Sequence, residues 1–142
     1  MTTSAYARLP APILHRASLR GNEYAWPVTD IPLVIGAARD AGLISVGGQL
    51  QFRLPDNGTC ECYWIEVDTY KAVPKELPWD ERVLRTADVA LGDFAELRSS
   101  YDFLEEGKQA FGSHLKTIED NGIDPAETMC FVWYLLDQSS EP

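Results

Sequence analysis

Cys60 and Cys62 stand two positions apart in a 142-residue chain that holds one further cysteine, Cys130, and two histidines, His15 and His114. These are the side chains whose types could carry covalent or metal chemistry. A structural zinc site takes cysteines at Cys-x2-Cys or a similar spacing, with a second pair of ligands downstream. The Cys-x-Cys here has neither feature, so no metal and no other cofactor is expected. A thiol nucleophile needs a histidine base beside it and an electropositive, partly exposed setting. Neither histidine is close to a cysteine in sequence: His15 follows the N-terminal segment and His114 falls on the surface of a predicted helix. Carboxylates are plentiful, but Asp80-Glu81, Glu105-Glu106 and Glu119-Asp120 read as solvated helix edges or helix-start electrostatics. There is no phosphate loop, no Gly-x-Gly-x-x-Gly and no His-Glu-x-x-His. The expectation is a protein that does no catalysis of its own.

Both thiols of the Cys-x-Cys pair lie in a segment, residues 47–67, that encodes a β-hairpin. Leu50, Phe52 and Leu54 alternate with Gln49, Gln51 and Arg53, which is the strand period of two. Residues 59–67 form the second arm, and Asp56-Asn57-Gly58 lies between the arms, with Gly58 suited to a positive φ. A three-residue loop opposes Leu54 to Cys60, Phe52 to Cys62 and Leu50 to Trp64, giving one apolar face. The other face then pairs Arg53 with Glu61 and Gln51 with Tyr63. A two-residue Asn57-Gly58 turn would put Glu61 among the apolar residues, so the three-residue loop is preferred. Pro55 has no N–H and belongs at the strand end. The cysteines thus read as small hydrophobes of a core face. Gly47-Gly48-Gln49 matches the tripeptide of peptide-release factors, but this small acidic chain lacks the nucleic-acid-binding body that the tripeptide serves.

The remaining elements must cover that hairpin. Thr29 or Asp30 caps a predicted helix with Pro32 in its first turn. It runs to Ala41, with Gly42 as its stop and Val34, Ala37, Ala38 and Ala41 as its buried stripe. Pro78 or Asp80 opens the longest helix, where Val83, Ala87, Ala90, Leu91, Phe94 and Leu97 recur at helical steps. After a break at Ser99-Ser100, a second helix is expected over 102–121, with Leu104, Phe111, Leu115 and Ile118 inward and Asn121-Gly122 as its stop. The apolar run 129–136 reads as a buried strand, with helix as the alternative. The fold class is α+β: a small, mainly antiparallel sheet with a central β-hairpin, covered by two or three helices. Residues 1–20 are expected as a loose N-terminal arm and residues 21–142 as a single domain.

The formal net charge is −10. It is uneven, because residues 1–20 carry Arg8, Arg16 and Arg20 and no acid, while the rest of the chain has a balance of −13. Such a field repels nucleic acid and anionic membranes and steers basic partners inward. No apolar run approaches the ~18 residues of a membrane helix. Residues 1–20 lack the apolar core of a secretory signal, and an odd number of cysteines suits reduced thiols, so a cytoplasmic location is expected. Tyr63, on the polar face of the hairpin, and Trp79 are surplus aromatics of the kind that anchor protein interfaces when flanked by carboxylates.

The hairpin run resembles small acidic bacterial immunity proteins of polymorphic toxin systems. The residues that carry the resemblance are Gly47, Gly48, Gln49, Gln51, Phe52, Leu54, Pro55, Asp56, Gly58, Thr59, Cys60, Glu61, Tyr63 and Trp64. The resemblance covers this segment alone and describes a fold element rather than a reaction. It implies a protein that binds and occludes a cognate toxin domain, a basic one by charge complementarity. The partner-binding residues expected are Glu61, Tyr63, Glu66 and Asp68 around the hairpin, then Glu105 and Glu106. The alternative readings are a small-ligand or regulatory module with its site between sheet and helices, and a cysteine- or carboxylate-dependent enzyme.

Overall fold

The apolar run Met129–Leu136 folds as a strand and takes the centre of the sheet. Its period-two pattern is hidden because both of its faces are covered: Phe131 and Trp133 on one side, Cys130 and Val132 on the other, are all buried. A short apolar run without alternation is the expected signature of such a strand. The computed structural model describes residues 4–140. In chain order these form two short helices, α1 (Ser4–Ala7) and α2 (Ala11–Leu14), strands β1 (Ser18–Arg20) and β2 (Glu23–Pro27), and helix α3 (Ile31–Asp40). There follow strands β3 (Ile44–Arg53) and β4 (Thr59–Asp68), helices α4 (Trp79–Ser100), α5 (Phe103–Ala110) and α6 (Gly112–Asp120), and strand β5 (Met129–Leu136). The sheet is antiparallel throughout, in the order β1-β2-β5-β3-β4. The class is α+β, as the sequence pattern requires.

Helices α3 and α4 pack on the face of the sheet that bears Leu50, Phe52, Ile65, Phe131 and Trp133, each fully buried. Helix α3 stops at Gly42, whose φ of 76° only glycine adopts freely, and Val34 and Ala38 point inward as expected. Ala37 and Ala41 are only half-buried, and Ile31 and Ile35 complete the stripe instead. In α4 the inward residues are Val83, Ala87, Ala90 and Phe94, with Leu91 and Leu97 half-buried. The single helix expected over 102–121 is two helices. Phe111 leaves helical geometry at φ −129° and ψ 37°, and Gly112 follows it. The Asp102 carboxylate accepts from the Glu105 N–H at 3.1 Å and caps the first of them.

The hairpin forms, but its register differs from the expected one. The loop is Pro55-Asp56-Asn57, closed by a 2.8 Å bond from the Leu54 N–H to the Gly58 carbonyl. Asn57, not Gly58, takes the left-handed conformation, at φ 71°. Asp56 holds it there by accepting from the Gly58 N–H at 2.8 Å. Phe52 therefore opposes Cys60 and Leu50 opposes Cys62. A shift of two leaves each side chain on its expected face. Beyond Cys62 the faces do change. The register jumps from Leu50↔Cys62 to Gln49↔Glu66, so Tyr63, Trp64 and Ile65 bulge out of β4. Ile65 and Val67 turn into the core, whereas Trp64, expected opposite Leu50, is 46% exposed. Gly48 allows close approach between β3 and β5, since a Cβ there would lie 1.6 Å from the Val132 carbonyl oxygen.

The segment expected as a loose arm is packed from Ala5 on; residues 1–3 lie outside the described residues. Tyr6 stacks on Tyr24 with centroids 4.2 Å apart, and its hydroxyl donates to the Trp133 carbonyl at 2.8 Å. The Trp26 indole N–H donates to the Ile13 carbonyl at 2.8 Å. Each helix here is a single turn, too short for periodicity to register, so the tertiary contacts, aromatic and ionic, reveal why the segment docks.

The sheet is also rolled. β1 lies three places from β3, which in a flat sheet is roughly 14 Å. Yet Arg53 of β3 donates through Nη1 to the Ser18 carbonyl at 2.7 Å, and Arg20 of β1 reaches the Leu54 and Gly58 carbonyls at 2.7 and 2.9 Å. These bonds draw β1 across the face of the sheet that α3 and α4 leave open.

Candidate functional site

β4 is an edge strand, and it carries four of the six residues expected to bind a partner. Glu66 and Asp68 are exposed, Tyr63 is 63% exposed, and Glu61 is half-buried. The bulge determines this display. Without it Tyr63 and Trp64 would fall on opposite faces; with it both stand clear of the core side by side. Trp64 leans toward α5 and donates its indole N–H to a Glu106 carboxylate oxygen at 2.7 Å. Glu106 thereby joins the patch. Glu105 does not: it is exposed on the preceding position of α5 and accepts from Gln109 at 3.5 Å, one turn further on.

Glu61 links this exposed patch to a buried polar network on the open face. It accepts from the Tyr63 hydroxyl and from Gln51 Nε2, the latter at 3.1 Å. Gln51 is 1% exposed and also reaches Glu23 at 3.4 Å. The Tyr134 hydroxyl donates to Glu23 at 2.5 Å, and Arg53 Nε donates to Gln51 Oε1 at 3.1 Å. The hydrogen bond to Glu61 is the main cause that raises the Tyr63 hydroxyl above its ordinary value. Tyr134 is pushed up to about 12, first by burial and then by its bond to Glu23. Both phenols therefore stay protonated and keep donating across the physiological range. The network positions Glu61 and, through it, Tyr63. Gln51 and Arg53 were recognisable in sequence as the polar face of β3. Glu23 and Tyr134, far away in the chain, had no such signal.

The chemistry-bearing residues are arranged differently. All three cysteines are free and buried. Burial pushes Cys62 up to about 12 and Cys130 up to about 11, and raises Cys60 as well, with Asp56 adding to that shift. A thiol held protonated is a poor nucleophile. The fold does bring a histidine near one of them: Cys60 and the exposed His114 both line a depression of about 410 Å³ beside the hairpin tip. His15 is exposed at the end of α2. No group of three or more His, Cys, Asp or Glu side chains among the described residues is placed to hold a metal, and no helix among them is long and apolar enough to cross a membrane. On the helix side of the sheet, the cavity between α4 and the ends of β3 and β5 is only about 20 Å³.

Set against family models, curated proteins and solved structures, the chain matches none of them.

Proposed function

We propose that the protein is a binding protein that occludes a basic domain of another protein, the mode of action of an immunity protein against a toxin. The observation that carries this reading is the pair Tyr63 and Trp64, lifted out of an edge strand by the bulge and bracketed by Glu61, Glu66, Asp68 and Glu106. Exposed aromatics fixed by hydrogen bonds make strong anchors, because little side-chain freedom is left to lose on binding. Carboxylates around them add steering and select a basic partner. The bulge also interrupts the free backbone edge of β4. A partner therefore recognises side chains here rather than extending the sheet by a strand.

The test has two stages. Tagged protein is used to capture partners from its native lysate at low and moderate salt, and the purified partner is then followed kinetically. A basic domain whose harm to the cell is blocked by co-expression of this protein supports the reading. Tyr63→Ala and Trp64→Ala should each speed dissociation by about 30-fold, the scale of an anchor worth about 2 kcal/mol. Glu61→Lys with Glu66→Lys should chiefly slow association. If no protein is captured at either salt concentration, or if the captured domain binds all three variants like the wild type, this face is not the interface.

A further inference from the structure

We propose that the cleft between β1 and the start of β5 binds a small molecule through a single anionic head, a phosphate or a carboxylate. The cleft has a volume of about 300 Å³ and is lined by Arg16, Arg20 and Arg53, with Ala25, Pro27 and Cys130 among its apolar walls. In a chain of net charge −10, three of its 12 basic residues converge on one concavity. It lies on the open face of the sheet and shares none of its lining residues with the acidic patch on β4.

Arg16 is paired with Asp30, but among the described residues the charges of Arg20 and Arg53 have no carboxylate bonded to them. Arg53 is 8% exposed, and its hydrogen bonds go to the Ser18 carbonyl and hydroxyl, the Glu23 carbonyl and the Gln51 side-chain oxygen, all neutral acceptors. Arg20 likewise bonds to the Leu54 and Gly58 carbonyls and the Thr59 hydroxyl. Among the described residues neither has a carboxylate within ion-pairing distance. A buried cation without an anion is costly, and an anion entering the cleft would offset that cost. Burial pulls Arg53 below its ordinary value and the nearby Arg20 adds to this, while Cys130 and Glu23 act in the opposite direction.

Donors remain to receive a ligand. A guanidinium has five N–H groups. Arg16 uses Nε and Nη2 on the two oxygens of Asp30, at 2.9 and 2.8 Å, which fixes its plane and leaves Nη1 unengaged among the described residues. Arg20 retains Nε in the same way. Planar donors held rigid by other bonds suit an oxyanion. Glu127, also in the lining, sets the charge pattern of the ligand. It repels a second negative group, so the ligand carries its charge at one end. The volume is at the small end of ligand sites.

Titration with inorganic phosphate and, separately, acetate, each matched to sodium chloride of equal ionic strength, tests this and separates the two head groups. Amide chemical shifts and thermal midpoints are both recorded. The expected result is saturable shifts confined to residues 16–20, 25, 53 and 127–130, with a rise in Tm from one of the two anions and none from chloride. Arg16→Gln and Arg20→Gln should each weaken that binding by about tenfold or more. Shifts scattered over other surfaces, or a Tm change equal to that of chloride, overturn the proposal. The mapping on the unaltered protein decides the matter even if a variant folds poorly. Because this cleft and the β4 patch share no residues, loss of anion binding leaves the partner reading untouched, and the reverse holds.

Discussion

At the scale of single residues, the thiols show how burial governs chemistry. Cys62 and Cys130 are pushed to about 12 and about 11 by loss of water around the thiolate. Iodoacetamide at pH 8 should therefore leave the cysteines of the folded protein unmodified over the time in which the denatured chain reacts fully, as mass spectrometry would show. Rapid labelling of Cys60 in the native state would instead bring its neighbour His114 into play as a base. The same shifts make stability depend on alkaline pH. A cysteine thiol ordinarily ionises at 9.0 and a tyrosine at 10.0, whereas Cys62, Tyr6 and Tyr134 in the fold ionise at about 12. Between those values the unfolded chain has released protons that the folded chain still holds, so each increase in pH favours unfolding. Stability from these groups is complete below pH 9.0 and falls as the pH rises toward about 12. Urea midpoints measured at pH 8, 10 and 11 should decline in that order.

At the scale of elements, close approach is what holds the helix layer to the sheet. Gly107 of α5 faces the Phe52 ring, and a Cβ there would stand 2.3 Å from two ring carbons. Gly107→Ala should cost about 1–3 kcal/mol as the ring or helix shifts to relieve the overlap. Gly92 on α4 has open space around it, and Gly92→Ala should be neutral or stabilising by up to about 1 kcal/mol, through its effect on the unfolded chain. Chemical denaturation of the two variants side by side separates packing from helix propensity. Gly48→Ala should be worse than Gly107→Ala, because its obstacle is backbone, the Val132 carbonyl, and backbone in a central strand pair cannot swing aside.

At the scale of the whole molecule, charge is segregated. The acidic balance faces outward on β4 and the helices, and the N-terminal arginines are bonded to the body of the fold, Arg8 to Asp137, Arg16 to Asp30 and Arg20 to the hairpin tip, with Arg8 and Arg16 still exposed on their outer sides. Docking the basic segment onto an acidic body lowers self-repulsion within the fold. The remaining field should speed association with a basic domain. That rate should fall as added salt shortens the screening length from about 10 Å at 0.1 M toward about 3 Å at 1 M, while dissociation changes far less. A stopped-flow series in salt reads both, and a salt-independent association rate would remove electrostatic steering from the account.

Local pattern by itself determined the hairpin arms, the helices at 31–40 and 79–100 and the α+β class; for 129–136 it favoured a strand but left a helix open, and the sheet decided for the strand. Alternation, helical spacing and cap residues are properties of neighbours in the chain, and they act before any tertiary contact forms. The polar candidates Glu61 and Tyr63 were legible for the same reason, since each sits on the outward phase of a strand. Tertiary structure decided the rest. Hairpin register turned on Asn57 rather than Gly58 taking the left-handed position. The exposure of Trp64 turned on the need to bury Ile65 and Val67 against the helices, which flips the phase of β4 beyond Cys62. The docking of residues 4–20 and the meeting of Arg16, Arg20 and Arg53 depend on contacts between segments distant in sequence and on the roll of the sheet. No local spacing encodes such contacts, because their free energy is gained only when the distant partner is already in place.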